Sequence, residues 1–267
     1  MKNLKLNAHY IVTPILLLIA NICYAQTHRS SITKFNVNGE ERQAIVSIPD
    51  DPKRAPNPVI FAFHGHGGTM KNMQQSRNFE KLWPEAIVVY PQGLKTPGML
   101  TDPEGKKSGW VMQVSAEENR DLVFFDELLN KLRADYKIDG NQIYATGHSN
   151  GGGFVYLLWA ERGHILKAVA PTATIAGKNA LKLTPKPVFH LTGLKDPLVT
   201  AKRQIVTHKS LLKLNKCDQS DAKKADTNLT VYPGREGNDV ALYIHQGGHG
   251  YPQAANQAII DFFKKHR

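Results

Sequence analysis

Residues 141–160, N-Q-I-Y-A-T-G-H-S-N-G-G-G-F-V-Y-L-L-W-A, constrain this chain more than any other stretch. Gln142–Thr146 is a β-prone run, Gly147-His148-Ser149-Asn150-Gly151 has the form G-x-S-x-G, and Phe154–Ala160 continues as an apolar helix. Strand, sharp turn and helix in that order make a nucleophile elbow, with Ser149 in strained backbone geometry and its Oγ exposed. Such a turn leaves Gly147 and Gly151 no room for a Cβ. The alternative is a glycine-rich turn whose serine merely caps the helix. A reactive serine needs a base, an acid and an oxyanion hole, and the rest of the chain must supply them.

The first 25 residues stand apart. Lys2 and Lys5 make a basic start, residues 11–22 are largely apolar, and Cys23-Tyr24-Ala25 ends in a small residue suited to cleavage, the pattern of a secretory signal peptide. A membrane anchor is disfavoured because the apolar stretch falls short of the ~20 residues that span a bilayer, and Pro14 interrupts it. Asn21-Ile22 before Cys23 argues against a lipoprotein site. Cleavage after Ala25 predicts a secreted or periplasmic protein of 242 residues, one catalytic domain over 26–267, with no stable membrane insertion. Losing Lys2 and Lys5 leaves 32 basic against 23 acidic residues, a net charge of +9. The basic residues are scattered, without aromatic interleaving, so the charge reads as a solvated surface and no nucleic-acid partner is expected. Only Cys217 remains after cleavage, which excludes an intramolecular disulfide. No Cys/His pair has metal spacing, and neither metal nor cofactor is called for.

Ser31–Val37 and Gln43–Ile48 read as two strands joined at Asn38-Gly39. Buried-strand runs follow at Pro58–Phe63, Ala86–Tyr90, Gln142–Thr146, Lys167–Ala170 and Val188–Thr192, with a last strand at Val240–His245. Helices are predicted over Asn72–Leu82, Leu122–Tyr136, Asn150–Arg162, Val199–Leu214 and Gln253–Lys265. Alternation of this kind makes an α/β fold, a mostly parallel sheet with helices on both faces and no large lid. Gly93–Val114 reads as a long surface loop.

Ligands of such sheets sit at the carboxyl ends of the strands, and each candidate falls there. His64-Gly65-His66-Gly67-Gly68 follows a buried strand and offers the second oxyanion N–H from His66, with Gly67 as the alternative; the first comes from Asn150. The loop lacks the Lys-Ser/Thr ending of a P-loop, and His64 reads as its organiser. Asp196 follows the strand ending at Thr192, as a triad acid or as the cap of the next helix. His249 lies between the last strand and the last helix, and His148 is read as pointing away from Ser149. The order Ser149, Asp196, His249 is that of the α/β-hydrolases, not of chymotrypsin or subtilisin. Trp110 and Tyr251 are candidates for an aromatic wall against substrate, or Trp110 anchors its loop.

The blocks H-G-H-G-G-T-M at 64–70, V-V-Y-P-Q-G-L at 88–94, D-L-V-F-F-D-E-L-L from Asp121, Y-A-T-G-H-S-N-G-G-G-F at 144–154, L-T-G-L-K-D-P-L-V at 191–199 and G-G-H-G-Y-P at 247–252 resemble a known group. They are similar to secreted hydrolases of the polyhydroxybutyrate-depolymerase-like and feruloyl-esterase-like type, related to carbohydrate esterase family one. The resemblance implies that Ser149, Asp196 and His249 are nucleophile, acid and base. It implies a monomeric serine esterase acting on a polymeric or oligomeric ester: feruloyl or acetyl esters of polysaccharides, or a poly(3-hydroxybutyrate)-type polyester. A serine peptidase on the same fold and a non-catalytic binder of anionic polymers are the alternatives from other classes.

Overall fold

The computed structural model describes residues 28–98, 100–114 and 120–267. The proposed signal peptide and the cleavage position after Ala25 lie outside the described residues; among the described residues no helix is long and apolar enough to cross a membrane.

The chain opens with β1 (His28–Val37) and β2 (Glu40–Pro49), an antiparallel hairpin. Its turn places Asn38 and Gly39 at φ 53° and 85°, the left-handed angles that an Asn-Gly hairpin turn requires. β3 (Asn57–Phe63) and β4 (Ile87–Pro91) are buried along their whole length. Between them lie α1 (Met70–Arg77) and α2 (Phe79–Leu82). The sequence predicts one helix here; Asn78 adopts φ 47° and ends the first segment through its N–H bond to the Gln74 carbonyl, a left-handed conformation that Asn tolerates.

The long connection after β4 is not free of structure. It carries the short pair β5 (Leu94–Lys95) and β6 (Ser108–Gly109) before α3 (Arg120–Asp135). Then β7 (Ile138–His148), α4 (Asn150–Arg162), β8 (Ala168–Thr172), β9 (Val188–Gly193) and α5 (Ala201–Leu214) alternate. β10 (Lys223–Lys224), β11 (Leu229–Tyr232), β12 (Val240–His245) and α6 (Ala255–Lys265) complete the chain. β10 and β11 have no counterpart in the sequence-based expectation. Both are short, and β11 is only half-buried, so neither has the apolar run of a core strand.

One sheet runs in the order β1-β2-β4-β3-β7-β8-β9-β12-β11-β10. The six strands from β4 to β12 are parallel and the two strands at each edge are antiparallel. Period-two alternation divides the core between the two faces. Val59, Phe61 and Phe63 of β3 pack with residues of α3, α4 and α5, including Leu122, Phe125, Leu128, Leu129 and Leu132. Ile60 and Ala62 pack instead with Met73, Phe79, Ile259, Ile260 and Phe263 of α1, α2 and α6. Helices on both faces leave the carboxyl ends of β3, β7, β9 and β12 to carry the loops that hold Gly65–Gly68, Ser149, Asp196 and His249.

Three buried histidines make this core acid-sensitive. Burial lowers the pKa of His208 and of His266 to about 4, and that of His190 well below its ordinary value. Between about pH 6.5 and pH 4 the unfolded chain binds protons that the folded chain refuses, so stability is full above pH 6.5 and falls as pH drops through that window. For His208 the loss is on the order of 3 kcal/mol. Urea unfolding at pH 7.5 and 4.5 will show a drop that His208→Gln reduces by about that amount; an equal drop in both proteins would contradict it.

Candidate active site

At the end of β7 the chain turns directly into α4, and Ser149 occupies the turn with φ 54° and ψ −117°. A non-glycine residue in that region stores about 1–3 kcal/mol of strain, which the surrounding packing must hold. Gly147 and Gly151 explain the tightness. A Cβ on Gly147 would strike the Gly151 carbonyl, and one on Gly151 would strike the carbonyls of Phe63 and His64. The turn is therefore pressed against the end of β3, and Ser149 N–H is pinned to the Thr172 carbonyl of β8 at 2.8 Å.

His249 Nε2 lies 2.8 Å from Ser149 Oγ, and its Nδ1 lies 2.8 Å from Asp196 Oδ2. The Asp196 side chain is fully buried, whereas His249 is about one-fifth exposed. With Nδ1–H donated to the carboxylate, Nε2 presents its lone pair to the serine hydroxyl, the protonation pattern of a general base. Asp196 Oδ1 accepts from the N–H groups of Leu198 and Val199, both at 2.8 Å. One carboxylate oxygen thus holds the turn at Leu198–Val199 and the other meets the imidazole; α5 begins only at Ala201, after Thr200, so Asp196 is not its cap.

The loop after β3 packs beside the elbow. Gly67 N–H donates to the Ser108 carbonyl at 2.7 Å and Gly68 N–H to the Gly65 carbonyl at 2.9 Å, which takes Gly67 out of contention as an oxyanion donor. His66 N–H has no acceptor among the described residues, and Asn150 N–H, in the first turn of α4, has no intrahelical acceptor. The His66 imidazole bonds the Thr96 carbonyl at 2.9 Å, tying the loop to the β5–β6 pair. His64 is buried and neutral, its pKa lowered by desolvation. Its Nε2 accepts from Gly93 N–H at 3.0 Å, so Nδ1–H donates to the Gly65 carbonyl at 2.8 Å.

Asn150 contributes its side chain as well. Its Oδ1 accepts from Trp110 N–H at 2.7 Å and its Nδ2 donates to the Trp110 carbonyl at 2.9 Å, a two-point clamp between the elbow and the long loop. Trp110 does not form the expected substrate wall. It is 1% exposed, stacks on Phe154, meets Phe63 edge to face, and donates its indole N–H to the His64 carbonyl at 2.9 Å, so it anchors the loop. Tyr251 does not join it. One face of its ring carries the Arg77 guanidinium at 3.3 Å and its edge meets His148, on the other side of the sheet from Trp110. Apolar packing satisfies Trp110 better than exposure, and the sequence cannot show which neighbours surround it.

His148 lies beside His249 and makes no side-chain hydrogen bond to Ser149 among the described residues. Its ring centroid is 5.1 Å from that of His249, and Nδ1 lies 3.2 Å from Thr172 Oγ1. Desolvation, with Arg77 and His249 nearby, lowers its pKa to about 3, so a neutral ring backs the His249 imidazole.

The dienelactone hydrolase family matches residues 43–266, and the chain belongs to it. It is 24% identical over 234 residues to feruloyl esterase D of Neurospora crassa, covering 82% of this chain and 77% of that protein. It is 29% identical over 195 residues to a bifunctional acetylxylan esterase/xylanase of Neocallimastix patriciarum, 71% of this chain but 26% of that protein. In fold it resembles an acetyl xylan esterase from Aspergillus awamori, with a TM-score of 0.66, 13% identity, and coverage of 88% of this chain and 99% of the other. The protein is an α/β-hydrolase of the carboxylic-ester hydrolase class.

Replacing Trp110 by Ala should lower the unfolding free energy by about 3–5 kcal/mol, the cost of emptying a packed aromatic site. Unchanged stability in urea would return Trp110 to the surface.

Proposed function

We propose that this chain is an exported serine esterase that hydrolyses feruloyl or acetyl esters carried by polysaccharides, by way of an acyl-enzyme on Ser149. The observation that carries the reading is the continuous hydrogen-bonded path from Ser149 Oγ through His249 to Asp196, 2.8 Å at each step. In the reaction His249 Nε2 takes the hydroxyl proton as Oγ attacks the ester carbonyl carbon. The negative oxygen of the tetrahedral intermediate sits on the N–H groups of Asn150 and His66, each contributing on the order of 3 kcal/mol to the transition state. The C–O bond to the leaving alcohol breaks as His249 protonates it. Water then attacks the acyl-enzyme with His249 again as base, releasing the acid and restoring Ser149. Asp196 holds the imidazole in one tautomer and stabilises its charged form throughout.

The substrate class is supported by the names of the relatives, a feruloyl esterase and an acetylxylan esterase. Export is supported by the basic start at Lys2 and Lys5, the apolar stretch and the small residue at Ala25, with residues 26–267 forming one monomeric catalytic domain.

Treatment of the purified protein with a fluorophosphonate should label Ser149, and His249→Ala should abolish the labelling. Ser149→Ala should lower kcat on methyl ferulate or acetylated xylan by roughly 10⁶-fold with the fold intact. A folded wild-type protein that takes no label at Ser149 would remove the serine mechanism. Preferential hydrolysis of poly(3-hydroxybutyrate) would keep the mechanism and replace the substrate class.

A further inference from the structure

Asp196 accepts four hydrogen bonds, of which His249 supplies one and two backbone amides supply two. The fourth comes from Gln204 of α5, whose Nε2 donates to Asp196 Oδ2 at 3.2 Å and to the Val199 carbonyl at 2.6 Å. Gln204 has no exposed surface. A buried amide in that position persists only if its hydrogen bonds are satisfied, and the orientation that satisfies them is the one its neighbours impose.

The neighbours leave a single consistent assignment. With Nε2 facing the carboxylate, Gln204 Oε1 must accept, and it does so from the Thr192 hydroxyl at 3.0 Å. That spends the only proton of Thr192, so the His208 Nε2 found 2.9 Å from Thr192 Oγ1 must be the donor there. His190 Nε2, 3.4 Å from Gln204 Oε1, likewise carries a proton, and its Nδ1 then accepts from the Tyr156 hydroxyl at 2.7 Å. Burial lowers the pKa of both imidazoles, which keeps them neutral. The network runs from Tyr156 in α4 through His190 of β9 and Gln204 of α5 to the carboxylate, with Thr192 and His208 joined to it at Gln204 Oε1 and every direction fixed.

We propose that Gln204 is a positioning residue of this active site: its amide, oriented by Thr192, His190 and His208, holds the Asp196 carboxylate so that Oδ2 meets His249 Nδ1–H. The inference rests on the Ser149 esterase reading. The amides of Leu198 and Val199 both bind Oδ1; because the carboxylate is rigid, a turn about the Cβ–Cγ bond moves both oxygens, and at Oδ2 it is resisted by the bonds to His249 and Gln204. Among the described residues the Gln204 N–H is the one donor to Oδ2 besides His249, so it holds that oxygen independently of the imidazole. Because Gln204 touches neither substrate nor Ser149, its loss acts on the activation of the nucleophile and not on substrate binding.

The test uses Gln204→Met, which preserves volume and removes the amide, and Thr192→Val, which removes only the hydroxyl that orients it. In Gln204→Met, kcat on a small feruloyl or acetyl ester and the rate of fluorophosphonate labelling should both fall roughly 10- to 100-fold with KM unchanged. Thr192→Val should produce a smaller fall of the same kind, and the double variant should be no worse than Gln204→Met alone, since the hydroxyl acts only through the amide. Folding is checked by circular dichroism on each protein. A folded Gln204→Met protein with kcat within twofold of wild type would overturn the proposal. Should Gln204→Met fail to fold, Thr192→Val decides, and an unchanged kcat and labelling rate there would overturn it. A wild-type protein that neither turns over ester nor takes label defeats the esterase reading itself, an outcome separate from these.

Discussion

The 2.8 Å contact between His249 Nε2 and Ser149 Oγ joins residues 100 apart in sequence, and the architecture around it is arranged to make that distance possible. The two side chains stand on loops that follow β12 and β7, which are separated in the sheet by β8 and β9. Asp196 follows β9 and meets the imidazole from behind. Parallel strands bring their carboxyl ends to one edge, so four loops from distant parts of the chain converge there without any connection between them. Burial on both faces holds the strand ends in register, and each loop needs to solve only a local problem.

Those local problems are solved by backbone hydrogen bonding more than by side-chain packing. The elbow is fixed by the approach of Gly147 and Gly151 to neighbouring carbonyls and by the Ser149 N–H bond to β8. The loop after β3 is fixed by His64 and by the β5–β6 pair. The β5–β6 segment is in turn held through Trp110, whose backbone is clamped by the Asn150 side chain. Val111 N–H bonds Asp121 Oδ2 at 2.8 Å, and Asp121 Oδ1 accepts from the buried Arg42 guanidinium at 2.8 Å. An ion pair taken out of water is a costly device, and removing either partner would leave an uncompensated charge. Here it ties β2, α3 and the long loop together, so the amides of Asn150 and His66 keep their direction.

Most of the fold was legible because its signals are local and periodic. The hairpin at Asn38-Gly39, the continuous apolar runs of β3 and β4, and the spacing of Leu122, Phe125, Leu128, Leu129 and Leu132 each follow from a few adjacent residues. The break at Asn78 and the strands β10 and β11 escaped, since an αL residue inside a helical pattern and a half-exposed edge strand leave little mark on composition. At the site, the placement of Ser149, Asp196 and His249 at one edge of the sheet was readable because each follows its own strand within a few residues. Gln204 and His208 carry a fainter signal: polar residues spaced i, i+4 on the buried face of α5.

The amino-acid sequence by itself determined the alternation of strands and helices, the glycines of the elbow and the position of each candidate group after its strand. These depend on chirality, side-chain branching and the steric freedom of glycine, which act between neighbours in the chain. Only the tertiary structure decided which side chains meet. It turned Trp110 inward onto Phe63 and Phe154, set His148 behind His249, spent the Gly67 amide on Ser108 and brought Gln204 to Asp196. Those outcomes depend on contacts between residues eight to about a hundred positions apart, and no local preference encodes them: burial and hydrogen-bond satisfaction are properties of the assembled core.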